Sequence, residues 1–312
     1  MINSALERID APVSEHRIVS HDGTSIAYYV AGVGPRSWVI PPGIATPLLS
    51  WKHVIERFWQ DWRFVVIDPR GTYGSARPAD PWRLTIEDHA GDVEAVVDAC
   101  GLERFVLGGW SMGCQISLEF YRRRPEHVEA LVLLNGPYAH ALATLAPRVP
   151  GSSWVFEGAA RGLLGMGERR VTSALRNILF KSGSPALWKA TGMLAANAEV
   201  EHSRAMLKAF EAIDFGVYLR FLLCAHNHSA EDVLSQVSVP TLITSGGRDR
   251  MTPTAVGRAL AHAISGSKLV VFPEATHYLL MEFPALLNRT LEEFLGSLEL
   301  APTRPDGCSV AS

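Results

Sequence analysis

Cysteine is scarce in this chain: its 312 residues hold four, Cys100, Cys114, Cys224 and Cys308, far apart and without CxxC or other zinc-ligand spacing. That spacing favours free thiols over a disulfide framework or a structural metal. Long apolar runs are missing as well. No stretch approaches the ~18 continuous apolar residues of a membrane span, and the opening Met1-Ile2-Asn3-Ser4-Ala5-Leu6-Glu7-Arg8 lacks the basic head and apolar run of a secretory signal. The expected location is therefore the cytoplasm. Neither charge dominates: 29 Lys and Arg face 32 Asp and Glu, spread along the chain for a net charge of −3. This leaves no basic stripe for nucleic acid and no polybasic anchor for an anionic membrane. Apolar residues are plentiful, 47% hydrophobic against 20% charged, which is the composition of a packed globular protein. Only the polar, Pro- and Gly-rich tail 301–312 is expected to lack order.

The opening predicts a β-hairpin, with "HRIVS" and "SIAYYVAG" as strands and "HDGT" as turn chemistry between them. Strands and helices then alternate. "SWVIPPG" (37–43) is a short strand ending in breakers, a helix is expected over 48–60, and "FVVID" (64–68) is a β-branched run suited to a buried strand. Thr85 and Asp88 can cap a helix whose Ile86, Ala90, Val93, Val97 and Cys100 form one apolar stripe. "RFVLGG" opens another strand, Met112 to about Arg123 a helix stopped before Pro125, and "VEALVLLNG" (128–136) the next strand. From 137 to 237 the patterns are helical, for example Val171, Ala174, Leu175, Ile178 and Leu179, which predicts a helical cap inserted into a core formed by 1–136 and 238–300. Alternation resumes with "VPTLITSGG", a helix through "TAVGRALAHAI", the strand "KLVVF" and a closing helix near 284–298. The implied class is α/β, a mainly parallel sheet covered by helices on both faces with its site at the strands' carboxyl ends.

Gly109-Trp110-Ser111-Met112-Gly113 matches G-x-S-x-G and lies between a predicted strand and a predicted helix. In that setting a sharp turn presents a serine hydroxyl in a strained, exposed conformation, flanking glycines remove side chains that would collide, and the helix N-terminus favours developing negative charge. Asp249 follows "PTLITSGG" and His277 follows "KLVVF", so each falls just beyond a strand. Taken singly, Asp249 reads equally well as a helix N-cap and His277 as a loop histidine. Together with Ser111 they give the order Ser, Asp, His expected of a hydrolytic triad on this architecture. Cys114, beside Ser111, reads as a small packing residue, and Trp110 as a residue packed beneath the site. His226-Asn227-His228 has no accompanying metal-ligand cluster in the sequence and reads as a solvated turn.

From about residue 16 to 298 the chain resembles the α/β-hydrolase family, in its serine-nucleophile branch with a helical cap. "DPRGTYGSARP" (68–78) is similar to the family's Asp-x-Arg-Gly-x-Gly-x-Ser segment, with Tyr73 as one extra residue, and Asn135 cannot replace the acid at the end of the sixth strand. The resemblance implies Ser111 as nucleophile, His277 as base and Asp249 as orienting acid. One departure stands out: Pro41-Pro42-Gly43-Ile44 occupies the place of the family's usual His-Gly. Proline has no N–H to offer an oxyanion, so the implied donors are the backbone amides of Met112 and Ile44.

The expected activity is hydrolysis of an uncharged small or medium carboxylic ester through an acyl-enzyme, without metal or organic cofactor. C–C bond hydrolysis, thioester or lactone hydrolysis, perhydrolysis and acyl transfer remain open on the same triad. A non-catalytic ligand receptor on the same fold is the remaining alternative, and its mark would be a damaged triad. A serine in place of an aspartate nucleophile argues against the alkyl-ester chemistry of dehalogenases and epoxide hydrolases.

Overall fold

The computed structural model describes residues 8–44, 46–144, 152–165, 185–190 and 192–299. The opening hairpin is β1 (Val13–Val19) and β2 (Ser25–Ala31), turned through Gly23 at φ 84. β3 (Arg36–Ile40) follows, then a 3-10 turn (Leu48–Trp51) running into α1 (Lys52–Phe58), and β4 (Trp62–Ile67). The next elements are α2 (Ile86–Ala99), β5 (Phe105–Leu107), α3 (Met112–Arg123) and β6 (Val128–Leu134). Beyond β6 come α4 (Ser152–Gly165), α5 (Pro185–Ala190), α6 (Val200–Glu211), α7 (Phe215–Asn227) and α8 (Glu231–Leu234). β7 (Thr241–Gly246), α9 (Thr254–Ala263), β8 (Lys268–Phe272), α10 (Leu279–Glu282) and α11 (Pro284–Gly296) complete the order.

The eight strands form one sheet in the order β1-β2-β4-β3-β5-β6-β7-β8. β1, β2 and β4 pair antiparallel, and every pairing from β4 to β8 is parallel. The mainly parallel α/β architecture expected from the alternation is thus the one observed. Side chains leave a strand on alternate faces, which splits the core in two. Val39, Val65, Leu107, Leu131 and Ile243 pack against α2, α3 and α9, while Trp38, Ile40, Phe64, Val132 and Leu242 pack against α1 and α11. With both faces covered, every residue of β4 is buried, which is why its stretch Phe64 to Ile67 reads as a continuous apolar run.

Several local expectations meet their physical cause. The Thr85 hydroxyl accepts the Asp88 N–H at 3.1 Å while the Asp88 carboxylate accepts the Thr85 N–H at 3.2 Å, a reciprocal capping box. α3 ends at Arg123, two residues before Pro125. Between β6 and β7 the described residues hold helices and one isolated bridge, Ala139 to Ser229, which draws the two ends of the inserted segment together. The stripe expected at Val171, Ala174, Leu175, Ile178 and Leu179 lies outside the described residues, as does the tail.

Two readings need correction. Cys114 and Cys224 are free thiols, but Cys100 is disulfide-bonded. His228 is not solvated: its ring is buried with Nε2 3.2 Å from the Glu119 carboxylate, a burial that the local polarity of His226-Asn227-His228 concealed. No helix among the described residues is long and apolar enough to cross a membrane.

Candidate active site

β5 runs through Gly108 and Gly109 into a sharp turn, and α3 starts at the residue after Ser111. Ser111 sits at φ 59, ψ −124, outside the regions an L-residue adopts without strain, and is partly exposed. The neighbouring glycines are dictated by contact with the β3 loop. A Cβ on Gly113 would lie 2.8 Å from the Pro41 carbonyl oxygen, and one on Gly109 would lie 2.9 Å from that same atom. Backbone on both sides leaves neither position room for a side chain.

The chain brings Ser111, His277 and Asp249 into one hydrogen-bonded line. His277 Nε2 is 3.0 Å from Ser111 Oγ, and His277 Nδ1 is 2.8 Å from Asp249 Oδ2. A carboxylate only accepts, so the imidazole proton sits on Nδ1 and the free pair of Nε2 faces the serine hydroxyl. The His277 side chain is 5% exposed and that of Asp249 is fully buried. Asp249 Oδ1 accepts the backbone N–H groups of Met251 and Thr252, at 2.8 and 2.9 Å. Trp110 packs beneath the site as anticipated: it is buried, its ring lies 5.4 Å from the imidazole, and its Nε1 donates to the His277 carbonyl at 2.9 Å.

Met112 is the first residue of α3, and Ile44 is on the loop after β3. Among the described residues neither backbone N–H is spent on an acceptor, whereas Gly43 N–H is given to Thr46 Oγ1 at 2.7 Å. Gly43 also lets the loop approach: a Cβ there would meet the Trp110 carbonyl oxygen at 2.8 Å. Cys114 is a packing residue, fully buried, and burial pushes its thiol pKa well above the ordinary value.

Several contacts at the site are not legible in the sequence. Thr252 Oγ1 lies 2.7 Å from Asp249 Oδ2, 2.8 Å from the Asn135 carbonyl and 3.3 Å from His277 Nδ1, linking the ends of β6 and β7 to the imidazole. Asn135, at φ 45, donates through Nδ2 to the Thr276 carbonyl at 3.1 Å. Glu282, buried on α10, accepts the N–H groups of Thr276 and Ala195, both at 2.7 Å. It thereby joins the residue before His277 to the inserted segment. Glu282 reads from sequence as an ordinary helix-surface carboxylate, and no local pattern marks it.

The "DPRGTYGSARP" segment is scaffolding beside the site. Arg70 is fully buried, paired with both carboxylate oxygens of Asp22 and of Asp92 and with the Arg83 carbonyl. Tyr73, the extra residue in the spacing, is accommodated in the left-handed region at φ 48. Asp68 Oδ2 accepts from Gly74 N–H at 3.0 Å and Tyr29 OH at 3.1 Å, and burial pushes its carboxyl up to about 7.

A family model described as the alpha/beta hydrolase fold matches residues 39–284. The chain is 27% identical over 261 residues to the Klebsiella pneumoniae protein named "Putative carbamate hydrolase RutD", covering 78% of this chain and 88% of that one. Among solved structures, Est816, described as an N-acyl homoserine lactone degrading enzyme, is 26% identical with a TM-score of 0.68, covering 89% of this chain and all of that one. The enol-lactonase from Burkholderia xenovorans shares the fold at a TM-score of 0.72 and 22% identity, covering 90% of this chain and all of that one. With a sharp strand-to-helix turn at Ser111, a mainly parallel eight-stranded sheet and a family match over most of its length, the chain belongs to the α/β-hydrolase fold family and is a hydrolase of that fold.

Proposed function

We propose that the chain hydrolyses uncharged carboxylic esters, cyclic esters among them, by acyl transfer to Ser111. The observation that carries this reading is the unbroken line from Ser111 Oγ through His277 to the buried Asp249, with the serine held at φ 59. His277 Nε2 takes the hydroxyl proton as Oγ bonds to the substrate carbonyl carbon, and the carbonyl electron pair moves onto oxygen. The N–H groups of Met112 and Ile44 receive that oxyanion. As it collapses, the C–O bond to the alcohol breaks and the imidazolium returns its proton to the leaving oxygen. Water, deprotonated by His277, then cleaves the acyl-enzyme; the acid departs and Ser111 regains its proton. Asp249 stays ionised throughout, holding Nδ1–H and stabilising the imidazolium. No step requires a metal or an organic cofactor.

A carbamate is the second reading, favoured by the 27% identity to the protein whose name specifies carbamate hydrolysis. Its carbonyl passes through the same tetrahedral intermediate and expels the alcohol, leaving a carbamoyl-serine that water hydrolyses to a carbamic acid. One panel separates the two: p-nitrophenyl esters of graded length, an N-acyl homoserine lactone and an aryl carbamate, each with the native chain and Ser111→Ala. Ester or lactone turnover lost in the variant supports the first reading, and turnover of the carbamate alone supports the second. Failure of a fluorophosphonate to label Ser111 in the active protein would overturn both.

A further inference from the structure

Glu199 and His202 stand three residues apart at the start of α6, a spacing that places both on one face of a helix. That face packs against the beginning of α1, where His53 lies. His202 Nδ1 is 3.1 Å from His53 Nε2, and His53 Nε2 is 3.4 Å from Glu199 Oε2. We propose that His53 Nε2, His202 Nδ1 and the Glu199 carboxylate form a site for a divalent transition metal of the zinc class, clipping the inserted segment to the sheet domain.

The geometry suits the ion. Zinc–ligand bonds of about 2.0–2.1 Å in a tetrahedron require ligand atoms about 3.3 Å apart, and the two measured separations bracket that value. One oxygen or nitrogen from each of the three side chains falls within 4.8 Å of the others. The orientation of His202 is already set: its Nε2 is 3.0 Å from the Leu49 carbonyl. A carbonyl only accepts, so Nε2 carries the proton and Nδ1 presents its lone pair to the cluster. A ligand imidazole whose second nitrogen donates to a backbone carbonyl is the usual outer-shell arrangement of a metal-bound histidine. Without metal, the His53–His202 contact requires the proton on His53 Nε2. With metal, the proton moves to the other nitrogen of the 53 ring, freeing the Nε2 pair with no net proton exchange.

Access is available through a solvent-open cavity of about 530 Å³ that Glu199, His202, Leu49 and Lys52 line, leaving room for a water as fourth ligand. Arg204 and Lys208 share that wall and oppose a bare cation; one carboxylate and two imidazoles lower the ion's charge without cancelling it, so an anionic fourth ligand is favoured there. Lys52 is turned away onto Glu56 and the Arg8 carbonyl. The second His–Asp cluster, His21 with Asp22 and Asp88, carries no such inference, because Arg70 and Arg83 already occupy its carboxylates.

The test is a titration of the full chain, stripped with chelator and dialysed, with zinc and with cobalt. The expected result is one tight equivalent of zinc by competition against a chromophoric chelator, and visible cobalt d–d bands of tetrahedral intensity. His53→Gln and Glu199→Gln should each weaken that binding about 10-fold or more. Both are partly exposed positions, and far-UV circular dichroism with fluorophosphonate labelling of Ser111 checks that each variant is folded. Zinc at ~100 times the native Kd should also raise the native Tm, and raise that of His53→Gln by about half as much or less. Absence of a stoichiometric site, or zinc binding equally tight in folded His53→Gln, would overturn the proposal.

Discussion

Ser111 is held at φ 59 by packing on both sides, since Gly109 and Gly113 fit against the Pro41 carbonyl and the Ser111 N–H is tied to the Leu134 carbonyl at 3.0 Å. A non-glycine residue in such a conformation costs about 1–3 kcal/mol, more than the ~0.5–1 kcal/mol that glycine's extra freedom adds to unfolding. Ser111→Gly should therefore unfold at higher urea concentration than Ser111→Ala, with both lacking ester turnover, kcat falling by roughly 10³ or more. Equal or reversed urea midpoints would show that the turn is unstrained. Asp68 gives a second test. Burial, partly offset by the bonds from Gly74 and Tyr29, raises its folded pKa from 3.8 to about 7. A carboxyl whose folded pKa lies above its unfolded value favours folding most when protonated, so its contribution declines as pH rises from about 4 to 7 and is flat beyond. Asp68→Asn should flatten stability across that window and be the more stable chain at pH 8, by an amount on the order of a few kcal/mol. Chemical denaturation at pH 5 and pH 8 measures the difference, and an unchanged pH slope in the variant would refute it.

The helices divide into those that hold the sheet together and one whose first turn faces the site. α2 belongs to the former, its N-terminus fixed by the Thr85–Asp88 capping box. Thr85→Ala should cost ~1 kcal/mol of stability while leaving kcat/KM unchanged, which urea unfolding and ester assays read independently. α3 belongs to both. A Cβ at Gly113 would meet the Pro41 carbonyl at 2.8 Å, backbone that cannot rotate away. Gly113→Ala should lower stability and kcat together, because relieving the clash moves the loop carrying Ile44 relative to Met112. A variant with native kcat would show that the two amides need no fixed separation.

Over the whole molecule, α5 and α6 reach the residue beside His277 through aromatic packing. Tyr278, the neighbour of His277, lies 5.7 Å from the Trp188 ring of α5, and Trp188 lies 6.3 Å from Phe210 of α6. On the proposed reading as an ester hydrolase, these rings are the candidates for the apolar wall that an uncharged substrate would meet. Each methylene moved from water into an apolar site contributes up to ~0.8 kcal/mol, so kcat/KM should rise by about fourfold or less per added carbon until the space is filled, then fall. Trp188→Ala should shift that optimum to longer chains. A profile without an optimum, or a preference for dicarboxylate esters, would remove the apolar wall from the account of specificity.

Sequence alone determined the order of strands and helices, because burial on both sheet faces writes continuous apolar runs such as "FVVI" and because capping and breaking residues such as Thr85, Gly101 and Pro125 act over three or four positions. It also singled out Ser111, Asp249 and His277, since each follows directly on a strand whose end is legible. Contacts between distant segments left no such trace. Glu282 holding Ala195, Thr252 bridging Asn135 and Asp249, His228 buried on Glu119, and His53 meeting His202 across 149 positions all depend on how elements pack. A polar side chain looks the same in sequence whether it faces water or a partner, and only the tertiary structure decides which, because the partner is supplied by another part of the chain.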